Sequence, residues 1–112
     1  MKVHYYKTAG GKNLITDYIM SLSKPESVDG VSVIECFVDG KLDELKLKQW
    51  QGKVWEVYFY KHNRIFYVTI DGNDVYMLHA CRKQKNKTEK TDSQIVIKRA
   101  KELGAKLNKT FI

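Results

Sequence analysis

The spacing of apolar side chains changes several times along the chain, and each change marks an element. Residues 2–7, KVHYYK, alternate in polarity and are rich in aromatics, the pattern of a short strand. Leu14, Ile15, Tyr18, Ile19 and Leu22 then recur at spacings of three and four, which draws one apolar face along a helix. Ser23-Lys24-Pro25 ends that helix, and Pro25 suits the first turn of a second, where a missing N–H is no loss. The second helix is expected to bury Val28, Val31, Ile34 and Phe37 or Val38 and to reach toward Leu42 and Leu45, with Gly30 weakening it and Gly40 acting as terminator. From residue 53 the period is two. KVWEVYFYK, NRIFYVTI and DVYMLHACR read as three strands, turning at His62-Asn63 and at Asp71-Gly72-Asn73, the second with the Asp-Gly pair of tight hairpins. A polar run, KQKNKTEKTD, leads to a last helix from Ser93, with Val96, Ala100, Leu103 and Leu107 on one face.

The order β-α-α-β-β-β-α predicts an α+β fold in which a small antiparallel sheet carries its helices on one face and leaves the other partly open. In the first central strand Trp55, Val57 and Phe59 alternate with Glu56, Tyr58 and Tyr60. Giving the first set to the helices leaves Tyr58, Tyr60 and Tyr67 on the open face. Strand tyrosines ordinarily do no more than fill a sheet surface, but beside cations they can stack bases. Phe111 and Ile112 suggest that the tail packs back on the sheet.

Length and composition narrow the picture. A chain of 112 residues with one Pro and seven Gly leaves little room for a linker, so residues 1–112 are read as a single domain. The net charge of +7 is unevenly placed: residues 79–101 hold eight basic and two acidic side chains, while the rest of the chain is nearly balanced. Such a run can be a solvated surface, and it is also the footprint expected for a polyanion-binding face. Two cysteines, Cys36 and Cys81, are too few for a disulfide scaffold and lack metal-ligand spacing, so both are expected to be reduced. Without a leader-like N-terminus or a spanning apolar run, a cytoplasmic protein with no membrane association is expected. No GxGxxG, Walker loop, HExxH, EF-hand, CxxC or serine elbow occurs, and Gly10-Gly11-Lys12 lacks phosphate-loop spacing. No cofactor and no metal is implied.

The string HACRKQKNKTEKTD at 79–92, preceded by NRIFYV and followed by IVIKRAKEL, resembles the C-terminal half of the HigB-type branch of the RelE/ParE toxin superfamily, and the likeness covers residues 53–105. Trp55-Glu56 matches the Trp-Glu pair of that family's first central strand. Two departures stand out. Tyr58 takes the place of a basic residue, and the Lys-Thr-Pro step into the last helix reads Lys90-Thr91-Asp92, with Asp92 able to cap the helix instead. The resemblance implies a RelE-like fold and a toxin of a type II toxin–antitoxin system that cleaves mRNA, often on the ribosome, to block translation. It also implies a cognate antitoxin, usually of helix-turn-helix type.

Metal-free RNA cleavage needs a 2′-hydroxyl deprotonated, a phosphorane stabilised and a 5′-oxygen protonated. Histidine suits the proton transfers and arginine or lysine the charge. With the family likeness, His79 is the expected general acid or base, Arg82 and Arg64 the phosphate-stabilising cations, and Lys83, Lys85 and Lys87, with Tyr58, Tyr60 and Tyr67, the RNA-gripping set. A strand histidine is by itself more often a packed, hydrogen-bonded residue. His62 falls in an expected turn and His4 in the first strand, and neither is expected to act in catalysis. Two other readings use the same features: a non-catalytic toxin of this fold that binds a protein such as DNA gyrase, and a small non-toxic RNA-binding protein of a phage or mobile element.

Overall fold

The computed structural model describes residues 1–83 and 88–112. Nine segments follow in order: β1 (Lys2–Tyr5), α1 (Leu14–Ser21), α2 (Lys24–Asp39), a 3-10 turn at Leu42–Glu44, β2 (Lys46–Gln51), β3 (Val54–Phe59), β4 (Asn63–Ile70), β5 (Asp74–Arg82) and α3 (Lys90–Leu107). They build one five-stranded sheet in the order β1-β5-β4-β3-β2. β2 to β5 form an antiparallel meander, whereas β1 runs parallel to β5, with Val3 opposite Val75 and Tyr5 opposite Met77. The sheet is therefore mixed and not purely antiparallel. β2 lies in the stretch between the second helix and residue 53 for which the sequence pattern predicts no element. Once Gly40 ends α2 in the left-handed conformation, the alternation of Lys46-Leu47-Lys48 pairs with β3 and turns Leu47 toward the core.

Helices cover both faces of the sheet, which corrects the expectation of one. On the first face α1 and α2 lay Ile15, Ile19, Val33 and Phe37 over Val57, Phe59, Ile65, Tyr67 and Met77. On the second, α3 and the tail lay Val96, Ala100 and Phe111 over Val54, Phe66, Val68 and Leu78. The cause is visible in β4, where every residue from Asn63 to Val68 is buried: a strand enclosed on both sides carries a continuous run such as Ile-Phe-Tyr-Val, not an alternation. Fully burying side chains of this size stabilises a fold by roughly 1.5–3 kcal/mol each.

Three local details fix the geometry of the site. The buried stripe of α2 runs through Gly30, Val33 and Phe37, leaving Val28 61% and Val31 39% exposed, so the predicted apolar face is rotated. Gly30 causes the shift: a Cβ there would lie 3.0 Å from both Ile19 Cγ2 and Phe59 Cε2, and its absence lets α2 settle against α1 and β3. The β3–β4 turn is made by Tyr60 and Lys61, both at positive φ, and Asn63 already belongs to β4, so the turn lies earlier than His62-Asn63. Asp71 and Gly72 form the β4–β5 turn as expected, again with positive φ at both. The tail packs as Phe111 suggested. Its carbonyl accepts from the Lys53 amide at 2.7 Å, over Gly52, whose φ is +53°.

Candidate functional site

β5 places His79 and Cys81 on the face under α3, two residues apart as strand periodicity requires. The first turn of α3 brings Asp92 above them. His79 Nε2 lies 2.8 Å from Asp92 Oδ1, and since a carboxylate only accepts, Nε2 carries the proton. On the other side Arg99 Nη1 donates to the Leu78 carbonyl at 2.8 Å and stands 3.5 Å from His79 Nδ1. Arg99 is seated over the Tyr6 ring, 4.2 Å from its centroid, and the Tyr6 hydroxyl donates to Glu102. Burial pushes the His79 pKa down and Arg99 adds to this, against the upward pull of Asp92, so the imidazole is neutral near pH 7. Burial, with the Asp92 charge beside it, pushes the Cys81 thiol up to about 12. Asp92 is thus a partner of His79 and not the helix cap, because α3 begins at Lys90, preceded by Glu89.

Next to this group lies a buried ion pair. Arg64, 3% exposed, donates through Nη1 to Glu56 Oε2 at 3.1 Å and to Thr88 Oγ1 at 2.8 Å, and Trp50 Nε1 donates to the same hydroxyl. The Tyr58 hydroxyl donates to the other Glu56 oxygen, and burial together with that bond pushes its pKa up to about 12. Glu56 therefore has a cation and a hydroxyl on its two oxygens, as a carboxylate 2% exposed requires. Arg64 was expected to face a phosphate. It is instead withdrawn from solvent and committed to Glu56, so it positions Tyr58 and Thr88. The position where the resemblance expected a basic side chain, Tyr58, is supplied from elsewhere, with Lys83 Nζ standing 4.8 Å over the Tyr58 ring.

Arg82 departs further. Strand alternation turns it away from His79 toward α2, where Nη2 donates to Glu26 Oε2 at 3.1 Å with 47% of its side chain exposed. Glu26 also accepts from Asn63 Nδ2 and Ser23 Oγ, both at 2.8 Å, and Asn63 accepts from Tyr18 Oη. The Asn63 and Ser23 bonds, and then Arg82, hold the Glu26 carboxyl below its usual range. A carboxyl lowered in the folded state contributes stability above its unfolded pKa of about 4.3 and loses it as the pH falls through the folded value. Wild type should accordingly be more stable than Glu26→Gln at pH 7, with the difference shrinking steadily below pH 4 in urea titrations. A pH-independent difference would assign the effect to packing.

Of the predicted aromatics, Tyr67 is buried on the α1–α2 face with its ring edge-on to Phe37 at 4.9 Å, and so does not line an open surface. The register decides this: Tyr67 pairs with Trp55, whereas Tyr58 pairs with Arg64. Tyr60 sits beyond the strand in the turn, its amide donating to Asp29 Oδ2 at 2.7 Å. Tyr58, Tyr60 and Lys83 do share a groove of about 670 Å³ with Lys46, Lys48 and Lys61, between α2 and the β2–β3 edge. Lys85 and Lys87 lie outside the described residues. The sequence reading missed Lys46 and Lys48 with their strand. It also missed Asp92 and Arg99 as partners of His79, although Arg99, one helical turn from Val96 and beside Ala100, could have been placed against the sheet.

Residues 17–101 match the family described as "Phage derived protein Gp49-like (DUF891)". No curated protein matches the chain. Among the described residues, no helix is long and apolar enough to cross a membrane.

Proposed function

We propose, from the premise that this chain belongs to the Gp49-like family of phage-derived proteins, that it is a toxin acting as a metal-independent endoribonuclease on mRNA. The family is RelE-like and associated with toxins of toxin–antitoxin systems. In the finer reading the chain is of HigB type, cuts mRNA on the ribosome in the cytoplasm, and is silenced by a helix-turn-helix antitoxin. One observation carries the RNA reading: four lysines, 46, 48, 61 and 83, converge with Tyr58 and Tyr60 on one groove. Cations there would follow a phosphate backbone while the rings stack unpaired bases, which is how single strands are held. On the sheet face that Tyr58 shares, a neutral His79 oriented by Asp92 is suited to take a proton from a 2′-hydroxyl and return it to the leaving oxygen. Lys83 would then stabilise the phosphorane.

A second reading, a toxin of this fold that binds a protein target without cleaving RNA, draws on one feature. Both His79 nitrogens are already engaged, and its side chain is only 13% exposed. Expression of the chain alone in bacteria, beside His79→Ala/Arg82→Ala and Lys83→Ala, with 5′ ends of cellular mRNA mapped, separates the two. The ribonuclease reading expects growth arrest with new cuts in translated frames, reduced by about 100-fold or more without His79. Arrest without new ends moves the function to a protein target, and cutting that survives in the double variant removes His79 from the chemistry.

A further inference from the structure

His79, Cys81 and Asp92 hold an imidazole nitrogen, a thiol sulfur and a carboxylate oxygen all within 4.8 Å of one another. Among the described residues no other trio of such groups gathers in this way. Two of the donors come from one face of β5 and the third from the first turn of α3, so the cluster joins two elements that packing already holds together. We propose that it binds one divalent ion of zinc type through His79 Nε2, Cys81 Sγ and Asp92 Oδ1, leaving a fourth position to water.

The donor set suits a borderline-soft ion, since nitrogen, sulfur and carboxylate oxygen are the zinc ligands of proteins, and three of them with an open position form a site that exchanges its fourth ligand. Bonds of about 2.0–2.3 Å hold tetrahedral ligands about 3.3–3.8 Å apart. The 2.8 Å contact between His79 and Asp92 therefore has to open slightly, and the farthest pair has to close by at most about 1 Å, within the reach of side-chain rotation. The charges balance: thiolate and carboxylate neutralise the ion, so no unpaired charge is left under the helix. Loading sends the Cys81 thiol proton to solvent and moves the imidazole proton from Nε2 to Nδ1. Arg99 keeps its bond to the Leu78 carbonyl and gives up only the long 3.5 Å contact to the ring. The bound ion clamps the start of α3 to β5 and occupies the nitrogen that orients His79. It would thus act as a brake on the proposed cleavage, a consequence that rests on the ribonuclease reading, whereas binding itself does not.

Titration of the full-length, reduced protein with Co²⁺ tests the site directly. A sulfur-to-cobalt charge-transfer band in the near ultraviolet is expected, saturating at about one ion per chain and erased by Zn²⁺. Cys81→Ser should lose the band while Cys36→Ser, altering the other thiol, keeps it, and Asp92→Asn should weaken Co²⁺ binding at least about tenfold. Circular dichroism reports whether each variant folds, and if Cys81→Ser does not, His79→Gln carries the test through the same tenfold loss. Absence of the band in wild type, its persistence in folded Cys81→Ser, or unchanged affinity in His79→Gln overturns the site. None of these readouts involves RNA or growth, so failure of the site and failure of the ribonuclease reading are seen separately.

Discussion

Arg64→Ala is expected to cost about 3–5 kcal/mol of folding stability, because it strands the Glu56 carboxylate at a position 2% exposed with only the Tyr58 hydroxyl to hold it. The loss should appear in urea denaturation as a fall in midpoint at constant slope. Arg64→Lys should recover part of it, since an ammonium restores the charge but gives up the flat guanidinium's seat against the Tyr58 and Phe66 rings. The decisive comparison is the double variant Glu56→Gln/Arg64→Met, which removes both charges. It should be more stable than Arg64→Ala, because the cost lies in the unpaired charge and not in the missing side chain. Loss of less than about 1 kcal/mol in Arg64→Ala would mean that water reaches Glu56 and that the pair is not the pivot of this face.

Gly52→Val is expected to destabilise by about 3–5 kcal/mol through the tail. A Cβ at this position would stand 2.3 Å from the Phe111 carbonyl oxygen, which is backbone and cannot swing aside, and the φ of +53° is one a β-branched residue resists. Left-handed backbone costs about 1–2 kcal/mol, and unseating Phe111, 5% exposed in the second core, adds about 1.5–3 kcal/mol. The two effects share one contact. Phe111→Ala combined with Gly52→Val should therefore cost clearly less than the two singles added, as measured in a double-mutant cycle. Strict additivity would show that Gly52 acts through its turn alone and that the tail is a bystander.

Legibility in the sequence followed physical scale. Signals carried by two or three neighbouring residues were readable: the α1 stripe through Ile15 and Ile19, the start of α2 at Pro25, its stop at Gly40 and the Asp71-Gly72 turn. Errors arose where tertiary contacts override a local pattern. Gly30 looked like a defect in α2, and it is the point where α2 touches Ile19 and Phe59, which rotates the buried stripe. Tyr67 lies among four consecutive apolar residues, so alternation could not assign its face, and pairing with Trp55 did. His79 was legible as a strand histidine near cations, but its partners come from α3, and a helix beginning three residues earlier than expected was needed to bring Asp92 over it. Cys81, two residues from His79, carried a readable signal for a shared face, which motif searching passed over because its third partner is distant in sequence.

The parallel pairing of β1 with β5 constrains the order in which a newly made chain can become a folded one. Lys2 finds its neighbour only at Asp74, and the Met1 nitrogen donates to the Val38 carbonyl, so β1 waits for strands made long after it. Local hairpins can close within microseconds, but a pairing this far apart must first overcome the entropy of the whole intervening loop. The α3 layer comes later still, and with it Asp92 above His79. A nascent chain therefore carries the groove lysines 46, 48, 61 and 83 before it has made Asp92, the partner that orients His79.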